Sequence, residues 1–210
     1  MIRLHFVVEG QTEEAFVNEV LAPQLWTEVV SDVRTVGGIS TYPHLKDDLG
    51  RWMREDKKSD ARFTSMVDLY RLPKDFPGWA NSRNIKDPFD RVLDLEQRLA
   101  DEIDDRRFVP YIQLHEFEAL LLSYPEAFAL QFPRRTKDIN KLTAQCASAP
   151  SPEHIDDGPA THPSKRILDI FPDYDKVSAG SIIAKEIGLD RMRKACCHFD
   201  DWVKRLEALR

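Results

Sequence analysis

Cysteine is scarce and badly spaced for structural chemistry. Cys196 and Cys197 are adjacent, Cys146 stands alone, and no Cys-x-x-Cys pair exists. That excludes a disulfide framework and a cysteine zinc site, and it reads the adjacent thiols as buried core groups on a helix of a cytoplasmic protein. His198 lies beside them at a spacing that makes a poor ligand set. Long apolar runs are also missing. None approaches the roughly 20 residues of a membrane span, and the N-terminal stretch, interrupted by Arg3 and His5, is too short for a signal peptide. Neither a P-loop nor a GxGxxG motif is present, which argues against nucleotide chemistry of those types. A basic excess is lacking too. With 30 Lys and Arg against 36 Asp and Glu, the net charge is −6, so the surface is not built mainly to hold phosphate backbones. Local gathering of basic residues stays open. No internal repeat or low-complexity tract occurs.

What is present suits one ordinary domain with an appendage. The 210 residues are 42% hydrophobic and 10% aromatic, enough for a sizeable core. Residues 2–8 read as an apolar first strand. Residues 12–28 follow as an amphipathic helix with Thr12 as its N-cap, and Pro23 predicts a kink or break near Ala22. Val29 to Val36 reads as a second strand closed by Gly37-Gly38, and Leu45 to Asp56 as a helix. Arg62 to Leu69 is a third strand, Asp90 to Asp104 a helix, and Phe108 to Leu114 a fourth strand placed at an edge by Pro110. Residues 71–88 form a long Pro-containing loop. His115 to Ser123 reads as a helix starting straight from the strand end.

This rhythm predicts an α/β fold with a mostly parallel sheet and helices on both faces, residues 1–123. From residue 124 the rhythm stops. Seven prolines, Pro125 to Pro172, break residues 124–210 into a helical, Pro-rich extension packed on the core.

Three strand ends carry acids: Glu9, Asp68, and Glu116 with Glu118. In a parallel sheet these ends share one edge, where ligands of open α/β sheets sit. Converging carboxylates repel unless a cation neutralises them, and hard oxygen ligands suit Mg²⁺ or Mn²⁺. On one helix Glu116 and Glu118 cannot share a face, so Glu116, nearest the strand, is the first choice and Glu118 the second. His115 is a candidate general acid or base. The alternative for the whole set is a group of solvated helix-start acids.

The motifs resemble a known family. Val8-Glu9-Gly10-Gln11-Thr12-Glu13 looks like the Toprim signature of topoisomerases, primases and OLD-type nucleases. With Val67-Asp68-Leu69-Tyr70, Leu72-Pro73, Phe76-Pro77-Gly78 and His115-Glu116-Phe117-Glu118-Ala119-Leu120-Leu121, it resembles an uncharacterised branch of small bacterial Toprim-like proteins, often encoded beside an ABC-type ATPase. Ser164-Lys165-Arg166, Gly188-Leu189 and Cys197 to Trp202 extend the resemblance over nearly the whole chain. It implies a Toprim-like sheet, Glu9 as general acid/base and Asp68 as the first acid of a metal-binding Asp-x-Asp pair. It further implies a Mg²⁺- or Mn²⁺-dependent nuclease acting on DNA or RNA, the effector of an ATPase-coupled bacterial defence system. Tyr70 replaces the second acid, so Glu116 or Glu118 must complete the site. The rival expectation is a non-catalytic module that regulates a partner ATPase.

Cleavage of nucleic acid needs cations facing phosphates. The candidates are Arg71, Lys74, Arg83 and Lys86 in the loop, Lys165 with Arg166, and Lys185. The alternative is that these are solubilising charges. Tyr70, Phe76 and Trp79 either stack on unpaired bases or pack over the sheet edge.

Overall fold

The computed structural model describes residues 2–25, 30–37, 41–155, 158 and 161–209. Gly38, Pro159, the start of the second predicted strand at Val29 and the predicted helix end at 26–28 lie outside them.

Strand β1 (Arg3–Val8) leads into α1 (Gln11–Phe16), a π-helical turn (Val17–Leu21) and α2 (Ala22–Leu25). The expected kink at Ala22 is instead this widened turn, in which the Ala22 N–H donates to the Val17 carbonyl. Pro23 has no N–H to give to Glu19, and a π turn carries the helix past that missing bond. Next come β2 (Val30–Thr35), α3 (Tyr42–Glu55), β3 (Ala61–Asp68), α4 (Trp79–Ser82) and α5 (Pro88–Ile103). The fourth predicted strand is two short ones, β4 (Phe108–Val109) and β5 (Ile112–Gln113), on either side of Pro110. A Ser65 side chain bridges the gap: its Oγ accepts from the Tyr111 N–H at 3.0 Å and donates to the Tyr111 carbonyl at 3.1 Å.

All pairings are parallel and the order is β2-β1-β3-β4, with β5 also on β3. Alternation along the strands splits the core in two. Val7, Ala61, Phe63 and Val67 face α3 and α5. Leu4, Phe6, Val8 and Met66 face α1 and the C-terminal extension. After β5 comes α6 (Glu118–Leu121), and the extension holds α7 (Thr136–Cys146), α8 (Pro163–Ile170), α9 (Ser178–Ile187), α10 (Leu189–Ala195) and α11 (Cys197–Glu207) with short 3₁₀ turns between. It supplies most of the second face's cover. Trp202 of α11 is fully buried, stacks on Tyr111 at 4.1 Å and donates to Thr64 Oγ1 at 2.9 Å. Among the described residues no helix is long and apolar enough to cross a membrane. Cys196 is buried as expected, but Cys197 is exposed, because the start of α11 turns it outward.

Candidate functional site

The parallel register sets Val8 beside Met66 and Asp68 beside Gln113, so three strands end together. Past β1 the Glu9 N–H donates to the Met66 carbonyl at 3.2 Å, and Glu9 Oε2 accepts the Asp68 N–H at 3.3 Å. Asp68 Oδ1 in turn accepts the Phe117 N–H at 3.0 Å. The expected meeting of distant acids at the carboxyl edge is therefore present for Glu9 and Asp68. The helix after β1 starts one residue earlier than predicted. Gly10 is the N-cap and Thr12 lies within the first turn. Glu13 Oε2 accepts the Gly10 N–H at 3.0 Å, which turns this acid back toward Glu9.

The segment after β5 differs from expectation. His115 adopts a left-handed backbone, φ 62°, which interrupts the chain so that α6 begins only at Glu118. Glu116 and Glu118 therefore do not share a helix. Glu116, the first choice for the cleft, turns to α8: its Oε2 accepts from the Ser164 N–H and lies 3.0 Å from His162 Nδ1. Glu118 is fully buried, with Lys176 Nζ 2.9 Å from Oε1, and among the described residues its Oε2 has no hydrogen-bond donor. His115 is buried, its Nε2 3.0 Å from the Glu153 carbonyl.

Electrostatics identify the members of the cluster. Burial pushes Asp68 well above the usual carboxylate range, and the charges of Glu13, Glu9 and Glu118 push it further. Burial likewise raises Glu9 and Glu13, and lifts Glu118 to about 7 against the pull of Lys176. Glu116 behaves oppositely. Burial raises it, but the Ser164 hydrogen bonds, the Lys176 charge and the His162 contact outweigh that and leave it below its ordinary value. Lys176 is pulled down by burial, yet Glu118 and Asp68 hold it above its ordinary value. The charges of Glu9, Glu13 and Glu118 thus all act on Asp68, and Lys176, paired with Glu118, is the counter-charge.

The predicted cations fare unequally. Arg71 is exposed and its charge acts on both Glu9 and Glu13. Lys74, Arg83 and Lys86 are exposed on the loop. Lys165 pairs with Asp169, Arg166 donates to the Thr161 carbonyl, and Lys185 lies 3.5 Å from Glu19. Of the loop aromatics, Phe76 is buried against Tyr42, Trp79 lies under Arg91, and half-exposed Tyr70 stacks on His162 at 4.8 Å.

The strand-end pattern does not single out Lys176 or His162. One signal exists for Lys176: it sits just ahead of α9, where the helix dipole disfavours a cation. Asp175 marks that start by accepting the Ser178 N–H at 2.8 Å.

As metal ligands, these are hard carboxylate oxygens, and the undonated Glu118 Oε2 leaves a buried lone pair for a cation. Such oxygens are of the type that Mg²⁺ and Mn²⁺ take. Among the described residues no three His, Cys, Asp or Glu side chains already stand together as a ligand set, and Lys176 supplies the positive charge.

Comparison with known proteins adds a family. The family model described as a domain of unknown function (DUF4276) matches residues 8–207. No curated protein matches. Two solved structures are similar, both of the C-terminal region of the Xanthomonas campestris pv. campestris OLD protein, one phased with iodine and one with mercury. Each is 17% identical with a TM-score of 0.40, covering 98% of this chain and 97% and 98% of the respective chains.

Proposed function

The chain belongs to the family described as a domain of unknown function (DUF4276), and within it we propose a Mg²⁺- or Mn²⁺-dependent phosphodiester hydrolase acting on DNA or RNA. One observation carries this reading. The Glu9 carboxylate accepts the Asp68 N–H at the carboxyl edge of the sheet, with Glu13 and Glu118 closing an acid cluster there. The Toprim-like motifs around Glu9 and Asp68 support it.

In this proposal Asp68 and Glu118 hold the ion and Glu9 moves the proton. A bound divalent ion polarises a phosphoryl oxygen and favours ionisation of water. Burial raises the affinity of Glu9 for protons, which suits it to take a proton from water and return it to the leaving oxygen. Arg71, exposed beside Glu9 and Glu13, faces the phosphate. Lys74, Arg83, Lys165 and Arg166 are assigned to more distant phosphates. His115 is a positioning residue, since its ring is bound to the Glu153 carbonyl. Glu116 is a positioning residue as well, tying the edge to α8. Purified protein with Mn²⁺ should nick DNA or RNA, and Glu9→Gln should abolish the nicking. Equal cleavage by both would assign the activity to a contaminant and end the proposal.

A second reading has its own observation. Lys176 already balances part of the acid charge, as expected of a non-catalytic module that regulates a partner such as an ABC-type ATPase. Calorimetric titration with Mn²⁺ separates the two. Binding that disappears in Asp68→Ala supports hydrolysis, and absence of binding supports the module.

A further inference from the structure

The opposite edge of the sheet carries a different chemistry. The loop from α3 to β3 and the loop from α5 to β4 meet there around a recess of about 590 Å³, lined by Lys57, Lys58, Ser59, Arg62, Asp105, Arg106 and Arg107. The neighbouring acids are already committed. Asp56 and Asp60 are held by Arg3. Both oxygens of Asp105 accept from Arg107, and the rest of that guanidinium donates to the Asp56 and Met53 carbonyls. Arg107 is therefore a rigid wall rather than an available cation.

Four cations remain. Lys57, Lys58, Arg62 and Arg106 have no carboxylate within ion-pair distance among the described residues, and the longer-range pulls of Lys58 on Asp60 and of Arg106 on Asp105 offset their charge in part. One nitrogen of Arg62 donates to the Ser59 and Ala61 carbonyls. On a chain with more acids than bases, four like charges gathered around one concavity make a local positive potential that attracts an outside anion. Guanidinium groups match phosphate oxygens in pairs, and lysines add point charges.

We propose that this recess binds the phosphodiester backbone of a nucleic acid. The inference stands on the recess alone and does not depend on cleavage at the acidic edge. β3 is 8 residues long, which sets the two edges about 25 Å apart at about 3.3 Å per residue. A strand anchored here can therefore reach the acidic edge without the recess taking part in chemistry.

The test is fluorescence anisotropy of a labelled DNA duplex with the full chain in EDTA, so that no cleavage intervenes. Affinity should fall steeply with salt. The Lys57→Glu/Lys58→Glu/Arg106→Glu variant should bind about tenfold or more weakly, with the salt slope reduced by roughly 0.9 for each contact removed. Lys194→Glu, an exposed charge reversal on α10 outside the recess, should bind like wild type. Thermal melting checks that the exposed-site variants fold. Equal affinity of the triple variant and wild type would overturn the proposal, as would an equal loss in Lys194→Glu. Failure of wild type to bind duplex while binding phosphatidylserine vesicles would replace it with a lipid surface.

Discussion

Glu9 and Asp68 are 59 positions apart, yet the carboxylate of one accepts the backbone N–H of the other at 3.3 Å. Nothing local brings them together; two parallel strands ending in step do. Because burial and neighbouring acids disfavour the charge on Asp68, the edge is a place of stored electrostatic strain.

That strain predicts a trade between stability and activity. Asp68→Asn keeps an oxygen for the Phe117 N–H and removes the charge. It should raise stability by about 1 kcal/mol or more while abolishing Mn²⁺-dependent nicking. Melting temperature and a nicking assay on the same preparation check this. A lower melting temperature would show that the cluster does not oppose folding.

Lys176 is the counter-charge. Lys176→Met leaves the Glu118 carboxylate buried without its partner and should cost about 3 kcal/mol. The double variant Lys176→Met/Glu118→Gln should recover most of the loss. A double-mutant cycle by urea unfolding reads the coupling, and additive losses would contradict the pairing at 2.9 Å.

Away from the site, His198 gives a pH dependence of defined sign. Its Nε2 lies 3.0 Å from Glu96 Oε1 and 3.2 Å from the Ile112 carbonyl. Burial pulls its pKa down, but Glu96 and Glu153 outweigh that and hold it above 6.5. A raised folded-state pKa stabilises fully below about pH 6.5, and the contribution is lost as pH rises through the folded value. The melting-temperature advantage of wild type over His198→Gln should therefore shrink from pH 6 to pH 9. A constant difference would show that folding does not shift the titration of this imidazole between those pH values.

Gly78 is required by its backbone. Its φ is 77°, and a Cβ there would lie 1.9 Å from Arg98 Cδ. Gly78→Ala should cost about 1–2 kcal/mol and displace Arg98 from Asp94, its partner at 2.8 Å. Urea unfolding of the variant measures the loss.

Much of this was legible before any coordinates. Apolar runs bounded by acids and turn residues locate β1 and β3, because a parallel strand covered on both faces is written as a largely continuous apolar stretch. Parallel pairing then places Glu9 and Asp68 on one edge. Pro110, which lacks an N–H, marks the fourth strand as an edge, where β4 lies, but did not announce its split into β4 and β5. The choice between Glu116 and Glu118 was not legible, since it turns on the left-handed backbone at His115, a conformation no local pattern announces for histidine.

By itself the chain determined the strands, the acids at their ends and the lack of disulfide or membrane-spanning helix chemistry. These depend on neighbours in sequence and on composition. Tertiary structure alone decided that Lys176 from the C-terminal extension enters the acid cluster, that Glu116 belongs to α8, and that two separate loops gather a basic recess. Side chains far apart along the chain meet only when packing fixes the loops and helices that carry them, and no periodicity encodes that meeting.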